Sequence, residues 1–228
     1  MHNRRKFLIQ SGMAATALFV AKPYQTFAGI SGNAQISGNP NRLLFLHTGT
    51  PGDSRVINQI RSLKNKNTNL LLINSGKTLS LNPANIKFDV SRGDKNLLTD
   101  PADYRILYKD NIKIGLITIS AGSNEEVSRI NTVSKWLKKE KNCQLVVCLS
   151  ELGYKNVHGP DDLKLAEVST HLDVIISGDS KNFSEDSNII LNRNKEEVII
   201  SHSADNLNKL GMFSIGFNSK MQKNNIAF

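Results

Sequence analysis

The sequence predicts a layered α/β domain, and three observations carry that expectation. Short apolar runs without polar alternation recur at Leu43 to Leu46, Leu70 to Ile73, Ile112 to Ile119, Leu145 to Leu149 and Val174 to Ile176, as strands buried on both faces require. Between them lie segments with apolar residues at helical spacing. Beyond Asp179 the helical pattern stops, and the runs Ile189 to Leu191, Val198 to Ile200 and Met212 to Phe217 read as strands joined by polar turns. Strand and helix in repeated alternation call for helices laid on a sheet, and 228 residues suffice for one good-sized core.

Residues 29–42, rich in Gly, Ser, Asn and Pro, read as a flexible lead-in to a domain spanning 43–218. The first helix, Asp53 to Lys66, places Val56, Ile57, Ile60 and Leu63 on one stripe. A second, Asn124 to Lys141, does the same with Val127, Ile130 and Leu137. The third, Asp161 to His171, carries Leu163, Leu165, Ala166 and Val168 and is opened by Pro160, a helix-start signal. Residues 219–228 read as a polar tail. In an open α/β sheet a ligand sits just beyond the carboxyl ends of the strands. Those ends lead here into the loops Thr48 to Asp53, Ser75 to Lys77, Ser150 to Tyr154 and Ser177 to Lys181.

The formal charge of +9, from 29 basic and 20 acidic residues, invites a nucleic-acid reading. Residues 1–28 hold Arg4, Arg5, Lys6 and Lys22 and no acid, so the remainder carries a net of only +5. Its charges are scattered among Asn and Ser, with no aromatics interleaved to stack bases, which excludes a nucleic-acid partner. The two cysteines, Cys143 and Cys148, bracket what reads as one strand, so the odd spacing of five sets them on opposite faces and unable to bridge. They read as small buried hydrophobes.

Asn3-Arg4-Arg5-Lys6-Phe7-Leu8 and the uncharged stretch to Ala21 resemble a twin-arginine export signal, with Thr26-Phe27-Ala28 offering the small residues that a signal peptidase reads. Residues 1–28 are then a leader removed before Gly29, with no stable membrane span left, and the mature protein is expected in the periplasm or outside the cell.

The loops carry a more specific likeness. Leu46-His47-Thr48, Leu71-Leu72-Ile73-Asn74-Ser75-Gly76, Leu149-Ser150-Glu151-Leu152-Gly153-Tyr154, Asp173-Val174-Ile175-Ile176-Ser177-Gly178 and the closing Leu210-Gly211 stand in one order. In that order and context they resemble the metallophosphatase domain of secreted 5′-nucleotidases, in the calcineurin-like phosphoesterase superfamily. The resemblance runs from about Leu43 to Phe217. It implies an α/β/β/α sandwich, shortened by loss of an internal segment, and a reaction in which two divalent metal ions activate a bridging hydroxide against phosphorus.

The sequence departs from that family's ligand pattern at every position. Where the family has Asp-x-His, this chain has Thr50-Pro51-Gly52, and Lys77 stands at the bridging aspartate. The Gly-Asn-His segment is missing between Lys77 and Asn82. Further on, Leu-Ser-His becomes Leu149-Ser150-Glu151, and Gly-His-x-His becomes Gly178-Asp179-Ser180-Lys181. The degenerate cleft positions are therefore Thr50, Gly52, Lys77, Glu151, Asp179 and Lys181. An ammonium near a metal repels it by about 4 kcal/mol per unit of metal charge at 4 Å and an effective dielectric near 20. The expectation is a protein without cofactor or phosphatase activity, its lysines paired with Glu151 and Asp179, serving as a binding or partner-supporting module. A separately encoded protein like the nucleotidases' C-terminal domain is the partner the resemblance implies. Two further readings stand beside it: a phosphoester hydrolase using Glu151 and Asp179 around an atypical metal site, and a metal-free phosphate or nucleotide binder. Of the histidines, His47 reads as a buried, hydrogen-bonded strand residue and His171, near a helix end, as a capping or dipole-facing residue. Trp136 reads as a packing residue.

Overall fold

The computed structural model describes residues 41–48, 53–76, 86–91, 104–120, 123–155, 159–178, 187–202 and 210–228. Strand β1 (Arg42–Thr48) is buried at every position after Arg42. It leads into helix α1 (Ser54–Lys66), whose amino end is capped by Asp53; the Asp53 carboxylate accepts the Arg55 N–H at 2.7 Å and pairs with its guanidinium at 2.8 Å. The crossover returns to β2 (Leu70–Asn74), which lies parallel to β1 with Leu44 opposite Leu70 and Thr48 opposite Asn74. A two-residue strand β3 (Val90–Ser91) continues the sheet beyond β2.

The hairpin of β4 (Tyr104–Lys109) and β5 (Ile112–Ile119) opens the other sheet. Its two-residue turn holds Asp110 at φ 48°, in the left-handed region such tight turns demand. Helix α2 (Asn124–Lys139) follows, with the Ser123 hydroxyl accepting the Glu126 N–H at 3.1 Å. Glu125 and Glu126 lie in its first turn and Lys138 and Lys139 in its last, each sign complementing the helix dipole. The chain then runs through β6 (Leu145–Ser150), α3 (Asp162–Val168) capped by Asp161, β7 (Val174–Ser177), the edge strand β8 (Asn188–Leu191) and β9 (Glu197–His202). This sheet has the order β4-β5-β6-β7-β9-β8, with β5, β6, β7 and β9 parallel. Last come β10 (Gly211–Phe217) and β11 (Lys223–Ala227), which complete the first sheet in the order β11-β10-β1-β2-β3.

One core lies between the sheets: Leu43, Phe45, Leu71, Ile73, Phe213 and Ile215 face Ile114, Leu116, Val147, Leu149, Ile176 and Ile199. The rings of Phe45 and Phe213 stack at 4.6 Å. A second core joins the alternate residues of the six-stranded sheet, Ile117, Val146, Cys148, Ile175 and Ile200, to Ile130 and Leu137 of α2 and Leu165 and Ala166 of α3. Gly115 admits α2 at close range, since a Cβ there would fall 2.9 Å from Leu137 Cδ1. Burial on both faces is why these strands read as unbroken apolar runs.

Three expectations are corrected. The third helix ends at Val168, because Ser169 turns to extended backbone and its hydroxyl donates to Ala166 O at 2.8 Å, closing the last turn. Cys143 precedes β6 instead of opening it, and both thiols fall in the second core, on one side of the sheet. They are buried and unbridged. Residues 219–228 do not trail from the domain: β11 pairs antiparallel with β10, Ile215 opposite Ile226.

Candidate functional site

The carboxyl ends of the parallel strands meet. In the five-stranded sheet Thr48 and Asn74 end side by side, and the Ser75 N–H donates to Thr48 O at 2.9 Å. In the six-stranded sheet Ile119, Ser150, Ser177 and His202 form a row across β5, β6, β7 and β9. Backbone bonds continue it, Glu151 N–H to Ile119 O at 2.9 Å and Gly178 N–H to Ser150 O at 3.0 Å. The sheets are tied together here by His47 of β1, whose Nε2 lies 2.7 Å from Ser201 Oγ of β9. Ser187 Oγ adds a third member at 2.9 Å from Ser201 Oγ.

His47 is fully buried, as expected. Burial, and secondarily the neighbouring His202, lowers its pKa to about 3, so the ring is neutral at ordinary pH. It abuts Gly211 of β10, its register partner, and meets the edge of Phe213. These contacts make it a bridge between sheets.

Alternation turns Ser150, Ser177 and His202 to the other face of their sheet, beneath α3. His202 Nε2 lies 3.6 Å from Asp162 Oδ2, both side chains fully enclosed, and the Tyr154 ring meets the imidazole edge-on at 5.0 Å. Both Asp162 oxygens, both His202 nitrogens and Ser177 Oγ are buried without a hydrogen-bond partner. Although a serine, a histidine and an aspartate gather here, the serine makes no bond to the imidazole and enclosure denies a substrate access. A nucleophilic triad requires both. The sequence reading missed this cluster, since no spacing ties residues 162, 177 and 202; its only signal was the paired Asp161-Asp162 at a helix start, one acid more than a cap needs.

Of the six degenerate cleft positions only Glu151 lies among the described residues, partly buried just after β6. Thr50, Gly52, Lys77, Asp179 and Lys181 lie outside them, and so does His158. His171 stands beyond the end of α3 instead of capping it, its Nδ1 2.8 Å from Thr170 Oγ1. Its pKa is lowered chiefly by partial burial, against the raising effect of Glu196. Trp136 packs edge-on against Tyr104 at 4.9 Å, with the Lys141 ammonium over its ring.

A dinuclear metal centre calls for several carboxylates and imidazoles converging on one point. The described strand ends instead supply Thr48, Asn74, Ser75, Ser150 and Ser177, with Glu151 the carboxylate after β6 and His202 enclosed against Asp162. Asn74 Oδ1 is taken by the Gly76 N–H at 3.0 Å and Ser75 Oγ by Thr48 O at 3.1 Å. Among the described residues no group of three or more His, Cys, Asp or Glu is placed to hold a metal ion. The described donors do not fit such a centre.

Two stacked mixed sheets flanked by helices, with the parallel strand ends gathered at one place, define the calcineurin-like metallophosphatase fold. Among solved structures the chain is similar to the NAD nucleotidase of Haemophilus influenzae, at a TM-score of 0.61 and 16% identity over 82% of this chain and 49% of that one. It is similar also to a 5′-nucleotidase precursor of Thermus thermophilus (0.62, 16%, 81% and 53%) and to a calcineurin-like phosphoesterase of Bacillus subtilis (0.56, 14%, 82% and 90%). The chain thus spans about half the length of the two nucleotidases. No protein-family profile and no curated protein sequence matches it. At these identities the likeness is one of fold. Among the described residues no helix is long and apolar enough to cross a membrane.

Proposed function

We propose that this chain is an exported metallophosphatase-fold protein that has lost phosphatase activity and serves as a binding or partner-supporting module. One observation carries the proposal: among the described residues the strand ends supply hydroxyl and amide groups, of which Asn74, Ser75 and Ser150 are bonded to neighbouring backbone, and the imidazole of His202 is enclosed with Asp162, where hydrolysis by this fold needs several carboxylate and imidazole ligands converging on one point. The replacements in the sequence agree, with Lys77 and Lys181 at former ligand positions. Export rests on the paired arginines and the following apolar stretch, and the nucleotidase C-terminal-like partner rests on the resemblance alone.

The test is hydrolysis of a nucleoside monophosphate and of a chromogenic phosphodiester by the purified protein with excess manganese. No turnover above background is expected. A rate around 1 per second, typical of enzymes, that survives repurification and disappears in Glu151→Gln refutes the proposal.

A further inference from the structure

We propose that the edge strand β8 is a self-association surface, pairing with β8 of a second copy about a two-fold axis through Ile190. An edge strand presents unpaired N–H and C=O groups, and proteins blunt such edges with charge, proline or brevity. Among the described residues three sheet edges are blunted: β3 has two residues, β4 carries Arg105 and Lys109, and β11 reads Lys223-Asn224-Asn225-Ile226-Ala227. The fourth, β8, reads Asn188-Ile189-Ile190-Leu191, with neither charge nor proline. Its Ile189 and Leu191 are 42% and 55% exposed, two of the four large apolar side chains so exposed among the described residues.

The backbone of β8 shows which groups are available. Asn192 N–H donates to Glu196 O at 2.9 Å, and the register sets Leu191 opposite Glu197 and Ile189 opposite Ile199. Hydrogen-bonded and non-bonded pairs alternate along an antiparallel ladder. The bonded pairs with β9 are therefore those of Ile190 and Asn188, so Ile189 and Leu191 direct their N–H and C=O groups away from the sheet. These are also the residues whose side chains are exposed.

That pattern is self-complementary. A two-fold axis at Ile190 sets Ile189 of each copy opposite Leu191 of the other, giving two bonded pairs and two apolar cross-strand contacts on one face, with Ile190 against its own copy on the other. Axis and alternation agree, since any shift by one residue would oppose inward-directed and outward-directed groups. The product is a continuous twelve-stranded sheet. A contact this short buries well under the roughly 1,000 Å² of a stable interface, so the dimer is weak and concentration-dependent.

Sedimentation equilibrium of the full chain over a wide concentration range tests this, together with the register. Wild type should show reversible dimerisation. Ile189→Pro removes an outward N–H while sparing the β9 ladder, and should raise the dissociation constant at least about tenfold. Under mild oxidation Ile190→Cys should link to itself, because a non-bonded antiparallel pair sets its Cα atoms about 4.5 Å apart, within disulfide reach. Ile189→Cys and Leu191→Cys should link to each other in a mixture more readily than each to itself. Should Ile189→Pro lose its fold, the cysteine variants decide alone. A wild type that stays monomeric throughout, a dimer untouched by Ile189→Pro, or cross-linking that ignores the register overturns the proposal.

Discussion

Gly211→Ala is the substitution to which this fold should be most sensitive for its size. A Cβ at position 211 would stand 2.7 Å from His47 Cδ2 and nearer still to Nε2 and Cε1. The imidazole has no free direction of retreat, since it is wholly buried, held by Ser201 Oγ at 2.7 Å and bounded by Phe213. Overpacking a tight core costs about 1–3 kcal/mol. Forcing the ring off Ser201 gives up a buried hydrogen bond worth about 1 kcal/mol. The expected loss is then ~3 kcal/mol, and with an m-value near 2 kcal/mol/M the urea midpoint should fall by about 1.5 M. A double-mutant cycle adds specificity. In a His47→Ala background the new methyl enters vacated space, so Gly211→Ala should cost little and the coupling energy should reach about 2 kcal/mol. If the midpoint moves by less than about 0.3 M, or if the two losses simply add, the close approach of β10 to His47 does not have the consequence assigned to it.

Two further outcomes are expected. With His47 at about 3 in the folded protein and 6.5 as its ordinary value, the unfolded chain binds a proton that the folded one refuses. Above pH 6.5 this group adds no pH dependence, while between that value and about 3 stability should fall by about 1.4 kcal/mol per unit of acidification. Urea titrations from pH 7 to 4 should show that slope reduced in His47→Gln, and an unchanged slope would exclude His47 as its source. The Asp173 carboxylate accepts the Val146 N–H at 2.8 Å and holds Lys138 at 2.6 Å and Lys223 at 3.5 Å. Asp173→Ala should therefore cost about 3 kcal/mol, more than Asp173→Asn, which keeps a partner for Val146; equal losses would contradict the accounting.

The sequence made the strands legible wherever burial on both faces left an unbroken apolar run, as in Leu145 to Leu149 and Val174 to Ile176. It hid those that owe their place to a neighbour. Strand β11 contains Lys223, Asn224 and Asn225 because its outer edge meets water, and only pairing with β10 makes it a strand. Cys143 looked like part of β6 because Cys and Val are equally apolar, while its N–H in fact bonds back to Leu137 O of α2 at 2.9 Å. The site divided in the same way. His47 could be assigned to a buried strand from its own surroundings. Its partner Ser201, 154 residues away, could not, and neither could the enclosure of Asp162 with His202, because both depend on how elements stack.

The position of β1 between β2 and β10 also sets a timetable for the growing chain. Arg42 opens β1, and its guanidinium bonds to Ser214 Oγ, 172 residues later. A nascent chain therefore carries β1 with one side unpaired until residues 211–217 have been made. In that interval Phe45 lacks its stacking partner Phe213, so the inter-sheet layer stands open while the six-stranded sheet is already complete through β9. Contacts of such sequence separation are closed late and slowly. The pairing of β10 with β1 is thus the step that closes the inter-sheet layer.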